Sequence, residues 1–299
     1  MASPDAETSE PAISTKNQGD KDTPIMAKKI VLVALLSALF TGCGGMVQTV
    51  QAAPPTQSST TSTTTILSGR YLFRAELHTT TGQQFIEGGF LAADGHGVFA
   101  IASTYNDSLN PPITSPNYSI IGSYIMDTHG IGKMTADASD AFRGTEHIYC
   151  LADGSYCSIM SGEPGRAWQG KLWRDPGPGN TTFQTLSGSY LFESEAADNT
   201  FAESGIIIPD GKGNYSLQST FNIAAHPELS YFGDSPEECG QYSFGLQGLG
   251  HASQTSCPFN PAAKPDDTFA VYCVTDGSRC LLVPDTKEPG TWIAEMRRQ

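Results

Sequence analysis

Leu67-Ser68-Gly69-Arg70-Tyr71-Leu72-Phe73 returns as Leu186-Ser187-Gly188-Ser189-Tyr190-Leu191-Phe192, and this recurrence decides how the chain is divided. A stretch that recurs with its neighbours in the same order marks a duplicated unit. Phe85-Ile86-Glu87-Gly88-Gly89-Phe90, closed by Asp94-Gly95-His96-Gly97, is answered by Phe201-Ala202-Glu203-Ser204-Gly205-Ile206, closed by Asp210-Gly211-Lys212-Gly213. Ser103-Thr104-Tyr105-Asn106 is answered by Ser219-Thr220-Phe221-Asn222. Tyr149-Cys150 and Asp153-Gly154-Ser155-Tyr156-Cys157 return as Tyr272-Cys273 and Asp276-Gly277-Ser278-Arg279-Cys280.

Within each copy, apolar residues alternate with polar ones over short runs bounded by Gly, Asp, Asn and Pro. Tyr71, Phe73 and Ala75 against Leu72, Arg74 and Glu76 is one such run, the pattern of a half-buried strand. Each copy offers about eight such strands and no long amphipathic helix. Antiparallel strands in that number most simply close into a barrel, which leaves no exposed edge. The reading is therefore all-β, with two tandem eight-stranded up-and-down barrels at residues 66–174 and 186–299, joined by a linker at 175–185. A pair of β-sandwiches is the alternative. The Gly-x-Tyr opening and the strand count resemble the calycin group of lipocalins and avidins, which implies barrel architecture. Those families usually carry Trp where Tyr71 and Tyr190 stand, and their later motifs are missing.

Charged residues make up 16% of the chain and the formal net charge is −14. Such a surface repels phosphate backbones, so a nucleic-acid partner is set aside. Of seven cysteines, six lie in the two copies. A turn at Asp153-Gly154 or Asp276-Gly277 lays its flanking cysteines opposite each other, so Cys150–Cys157 and Cys273–Cys280 are expected as hairpin disulfides. Cys239–Cys257 remains as a bridge special to the second copy. Disulfides need an oxidising compartment. A thiol-redox role is the alternative, but C-x6-C is not a redox spacing.

The N-terminus supplies that compartment. Residues 1–25 are polar, without apolar periodicity, and read as disordered or as an extension ahead of the true start. Residues 26–42 carry a basic Met26-Ala27-Lys28-Lys29 followed by the apolar run Ile30 to Phe40, the plan of an export signal. Thr41-Gly42-Cys43-Gly44 then resembles the lipobox of bacterial lipoproteins, with Phe40 where that family usually has Leu. The resemblance implies cleavage before Cys43, a diacylglyceryl group on its thiol and acylation of the new amino terminus. Gly44, rather than Asp, is similar to lipoproteins sorted to the outer membrane. Soluble export with cleavage after Ala52 is the alternative. Residues 43–65, rich in Pro, Ser, Thr and Gln, read as a flexible tether.

The sequence carries few signs of chemistry, and no cofactor or metal is implied. The six histidines (His78, His96, His129, His147, His226, His251) stand singly. Asp94-Gly-His-Gly and Asp210-Gly-Lys-Gly lack the ligand ladder of a calcium loop and read as hairpin turns. Gly233-Asp234-Ser235-Pro236 resembles a hydrolase motif that belongs in an α/β fold, which this chain lacks. Tyr71, Phe73, Phe99, Tyr190, Phe192 and Tyr215 are expected inside the barrels, as core or as lining of a small-ligand cavity. Glu76/Glu195 and Glu87/Glu203 occupy matching sites and are expected on the opposite, outward face. Were they to converge in a cleft, they would suit acid/base hydrolysis. The expected function is non-catalytic: a membrane-anchored lipoprotein that binds a small ligand or an envelope protein, with a structural or adhesive surface protein as the alternative.

One consequence concerns the anchor. Labelling the native host with radioactive palmitate is expected to mark the protein, and C43S to abolish the mark; a label that survives C43S contradicts the lipobox reading.

Overall fold

The computed structural model describes residues 66–79, 84–107, 112–136, 144–162, 164, 166–177, 186–196, 200–224, 231–232, 238–255, 268–285 and 291–299. The expected extension, export signal, Cys43 and tether (residues 1–65) lie outside this set. So do residues 178–185 of the linker, His226, Cys257 and Gly233-Asp234-Ser235-Pro236.

The first copy is a closed barrel in which each strand pairs antiparallel with the next: β1 (Ser68–Thr79), β2 (Gln84–Asp94), β3 (Val98–Asp107), β4 (Ile113–Met126), β5 (Ile131–Ala136), β6 (Thr145–Cys150), β7 (Tyr156–Ser161) and β8 (Arg166–Arg174), which returns to β1. The second copy follows the same plan with β9 (Tyr190–Ala196), β10 (Phe201–Pro209), β11 (Asn214–Ile223), β13 (Glu238–Phe244), β14 (Leu249–Thr255), β15 (Thr268–Cys273), β16 (Arg279–Pro284) and β17 (Trp292–Arg298). β10 pairs with both β9 and β11, and β17 with β9, so this sheet closes as well. A two-residue strand, β12 (Tyr231–Phe232), is added against β11. Both copies are thus eight-stranded barrels rather than sandwiches.

One strand begins earlier than the composition suggests. Ile113 to Asn117 reads as part of a Pro/Asn loop, yet it opens β4: Ile113 pairs with Tyr105 and Ser115 with Ser103, before a bulge shifts the register. The ladder offered by β3 outweighs the weak strand propensity of this polar run.

The two ends of each barrel differ. At one end the strands join through tight turns, and an aspartate ties most of them together, the β13–β14 turn at Gly245 to Gly248 being closed by backbone alone. Asp94 Oδ1 accepts hydrogen bonds from the backbone N–H groups of His96 and Val98, and Asp210 Oδ1 from those of Lys212 and Asn214. Gly95 and Gly211 supply the positive φ, 80° and 74°, that such turns require. These Asp-Gly-x-Gly segments are therefore hairpin turns. The same end is stoppered by the repeated opening stretch: Tyr124 Oη donates to the Leu67 carbonyl at 2.7 Å, and Tyr242 Oη to the Leu186 carbonyl at 2.6 Å. The longer connections between strands of the same barrel lie at the other end.

Alternation then builds the cores. Tyr71, Phe73, Phe99 and Ile101 pack inside the first barrel, and Tyr190, Phe192, Tyr215 and Leu217 inside the second. Disulfides join Cys150 to Cys157 and Cys273 to Cys280 across the β6–β7 and β15–β16 hairpins. Cys239 is disulfide-bonded too. Such bonds point to a compartment outside the cytoplasm. Among the described residues no helix is long and apolar enough to cross a membrane.

A third apolar cluster joins the barrels. Leu72, Ile86 and Phe90 from the outer wall of the first meet Tyr272, Leu281, Val283 and Ile293 from the outer wall of the second. Tyr272 stacks edge-on to Phe90 and shares a 2.8 Å hydrogen bond with Thr104. Gly88 sits here because a Cβ would lie 2.6 Å from Val283. Beside this cluster Arg70 forms a buried ion pair with Asp175 of the linker. Arg70 also donates to Thr275 at 2.9 Å, and Asp175 Oδ1 accepts the Thr275 N–H at 2.9 Å. One linker carboxylate thus ties an arginine of the first barrel to a turn of the second.

Removing that carboxylate strands a buried guanidinium. D175A is expected to cost about 3–5 kcal/mol in urea unfolding and to split one cooperative transition into two; unchanged stability contradicts the role given to Asp175. The turn aspartates make a separate prediction. The side chain and backbone of Asn214 and the Lys212 N–H hold the Asp210 carboxyl down at about 2, and the N–H groups of Val98 and His96 lower Asp94 in the same direction. Both folded pKa values lie below the unfolded one, so the stabilisation is present above pH ~4 and is lost on acidification, for Asp210 as pH falls toward about 2. A carboxyl-carbon NMR titration of Asp210 with its midpoint near 3.9 would contradict it.

Candidate functional site

Glu87 and Glu203 point inward, not outward as expected. Phe85, Glu87, Gly89 and Leu91 share one face of β2, and strand pairing sets Glu87 beside Ala75, next to the inward Phe73. In the second barrel Glu203 pairs with Ser194, next to the inward Phe192. Period-two alternation leaves no other placement once the aromatic positions are fixed. Only Glu76 and Glu195, on the outer walls, follow the expected orientation.

Each inward glutamate meets a serine from the next strand. Ser103 Oγ donates to Glu87 Oε1 in the first barrel, and Ser219 Oγ to Glu203 Oε1 in the second. The glycine two residues on makes room for this pair. A Cβ on Gly89 would lie 2.6 Å from the Ser103 Cα, and one on Gly205 lies equally close to the Ser219 Cα. Glu-x-Gly on one strand and Ser on the next therefore form a unit, built once per barrel. It lies in the half of the interior nearer the long connections, since Glu87 and Glu203 stand near the starts of β2 and β10.

The surroundings of the two units differ. In the first barrel the pair is sealed: Glu87 is 1% exposed, under Phe85 and Trp168. Polar groups crowd the same interior. Asp107, buried, accepts a hydrogen bond from Tyr105 Oη at 3.0 Å, and Glu146, buried on β6, accepts the Gly162 N–H at 3.1 Å. In the second barrel Ile223 stands at the position of Asp107, Phe221 at that of Tyr105 and Phe269 at that of Glu146. Glu203, Phe201, Phe221 and Trp292 are all half-buried rather than sealed. The rings pair as Phe201–Phe221, with centroids 6.4 Å apart, and Phe269–Trp292, at 5.3 Å. The second barrel thus presents an aromatic cup with one carboxylate and two serines.

The six aromatic residues expected inside the barrels as core or as cavity lining, Tyr71, Phe73, Phe99, Tyr190, Phe192 and Tyr215, all face inward and are packed core. Tyr71 and Tyr190 lie deepest, at the stoppered end. Burial raises both phenols, with Arg174 and Arg298 opposing the shift. The cup residues Trp292, Phe269, Phe201 and Ser194 were not singled out by sequence reasoning. Ser103 and Ser219 were visible there only as part of the repeated Ser-Thr-aromatic-Asn.

The outer carboxylates meet at the seam. Arg74 reaches both Glu76 and Glu195, above depressions of about 520 and 480 Å³ that both border Lys171, the larger also bordering Trp173. Arg279 pairs with Glu295 at 3.2 Å and lies 4.5 Å over the Trp173 ring. Glu76 and Glu195 do converge, on the shared guanidinium of Arg74. Glu87 and Glu203 are in separate barrels.

No protein family and no curated protein matches the sequence. Solved structures that resemble the fold include kievitone hydratase from Nectria haematococca, 9% identical, covering 84% of this chain and 95% of that one with a TM-score of 0.22. A protein assigned as AttH from Nitrosomonas europaea is 11% identical, with coverage of 77% and 92% and a TM-score of 0.25. A DUF3598-family protein from Nostoc punctiforme is 10% identical, with coverage of 79% and 98% and a TM-score of 0.21. The functional reading rests on the residues of this chain.

The unequal sealing of the two units is testable by deletion of the serine hydroxyls. S103A leaves a buried carboxylate without that donor and is expected to cost about 1–3 kcal/mol, whereas at half-exposed Glu203 water replaces the donor and S219A costs less. Equal losses in paired unfolding experiments would contradict the difference.

Proposed function

We propose that the protein is an exported lipoprotein, anchored through Cys43 in the bacterial envelope, whose barrel interior holds a small ligand without transforming it. The observation that carries this reading is the repeated Glu–Ser unit facing the barrel interior beneath the long connections. A closed barrel of eight strands has room for one small ligand at most. A few convergent polar groups in an apolar setting are the usual make-up of such sites. The stoppered end and the paired disulfides supply a rigid frame, which favours binding over conformational work.

A protein partner in the envelope is the second reading, and one observation favours it. The outer wall of the first barrel exposes Ile125 (71%), Ile131, Tyr149 and Leu151, with Ile131 and Tyr149 directly paired across β5 and β6. The positions equivalent to Tyr149 and Leu151 in the second copy, Tyr272 and Val274, are buried in the seam cluster. An exposed apolar face of this kind marks a contact surface.

Native mass spectrometry of the protein purified from its own host tests the first reading. The expected spectrum shows the intact chain carrying a small-molecule mass that is lost on denaturation. A native spectrum matching the denatured mass contradicts it.

A further inference from the structure

We infer that the second barrel, and not the first, is the binding barrel, and that it takes a compact apolar molecule bearing an ammonium group. This rests on the small-ligand reading above and gives it a location and a chemical class.

The location follows from how far each interior is closed, since the row that carries the glutamate is of similar bulk in both barrels. Across β17, β9, β10 and β11 one row of inward positions reads Ala294, Ser194, Glu203, Phe221; the matching row in the first barrel reads Gly170, Ala75, Glu87, Tyr105. In the next row toward the long connections Trp292 pairs with Ala196. Both tryptophans thus stand beside small residues, Gly170 and Ala75 in the first barrel and Ala294, Ser194 and Ala196 in the second. The exposures differ: Phe85 and Trp168 are 2% and 3% exposed, while their counterparts Phe201 and Trp292 are only half-buried.

The class follows from the polar atoms and from the sign of the potential. Ser194 is 4% exposed and its Oγ, beside Glu203 in the row, has no hydrogen-bond partner among the described residues. A buried hydroxyl left this way is costly, and a ligand that donates to it removes the cost. Aromatic ring faces are negative, as is the Glu203 carboxylate, so the cup attracts a cation and disfavours an anion. The rings would surround the apolar body, while the N–H groups donate to Ser194 Oγ and Glu203. In the first barrel the equivalent of Ser194 is Ala75, which has no hydroxyl to satisfy.

The test follows the indole N–H signals of Trp292 and Trp168 in the full chain by NMR. Phenethylammonium, 2-phenylethanol and 3-phenylpropionate serve as cationic, neutral and anionic probes of similar shape. Phenethylammonium is expected to shift Trp292 and not Trp168, and to bind more tightly than the other two. E203Q is expected to weaken it by roughly 10-fold or more, equivalent to about 1.4 kcal/mol, with 2-phenylethanol little changed. E203D, which keeps the charge, retains the preference; an unmoved Trp168 signal verifies that both variants are folded. Binding of 3-phenylpropionate in preference, or an ammonium affinity indifferent to E203Q, overturns the class while leaving the small-ligand reading intact. Shifts at Trp168 in place of Trp292 overturn the location. Silence of Trp292 toward all three probes overturns the inference, and the ligand retained from the host then decides the broader reading separately.

Discussion

In a closed barrel each strand residue faces one of two environments, and the pleat assigns them alternately. That constraint governs this molecule. Once Tyr71 and Phe73 are inside, register places Glu87 inside as well, and the duplicated strand does the same to Glu203. A carboxylate set inside a barrel is expensive unless it is hydrogen-bonded. Both copies answer the expense in the same way, with a serine one strand over and a glycine that lets that strand come close.

The two barrels share this frame and put it to different ends. In the first, further polar groups close the interior around Glu87: Asp107 and Glu146 are buried, and Tyr105 is half-buried. In the second, Phe221, Ile223 and Phe269 replace them, and the interior is left partly open. The seam is asymmetric in the same sense. It joins the β1–β3 wall of one copy to the β15–β17 wall of the other, with Arg70, Asp175 and Thr275 fixing the geometry. The first barrel thus serves as the base on which the second is held, and the linker carboxylate makes the pair one body.

Much of the fold was legible because duplication repeats what a scaffold needs. Turn aspartates with their glycines, core aromatics and hairpin cysteines recur in the same order, and strand count and closure followed from them. The orientation of Glu87 was not legible, for a physical reason. Ile86 and Phe90, on the outer face of β2, are buried in the seam, so that strand is apolar on both faces and its alternation is hidden. The early start of β4 was concealed in another way, since its ladder is supplied by a neighbour and not by its own composition. The aromatic cup was missed because its members come from β10, β11, β15 and β17, which only barrel closure brings together.

The central claim is that one interior is sealed and the other open around the same Glu–Ser unit. Paramagnetic relaxation by a soluble gadolinium chelate measures this directly at the equivalent indoles, Trp168 and Trp292. The account predicts that the Trp292 N–H relaxes several-fold faster than that of Trp168. Equal relaxation at the two, or faster relaxation at Trp168, would contradict it.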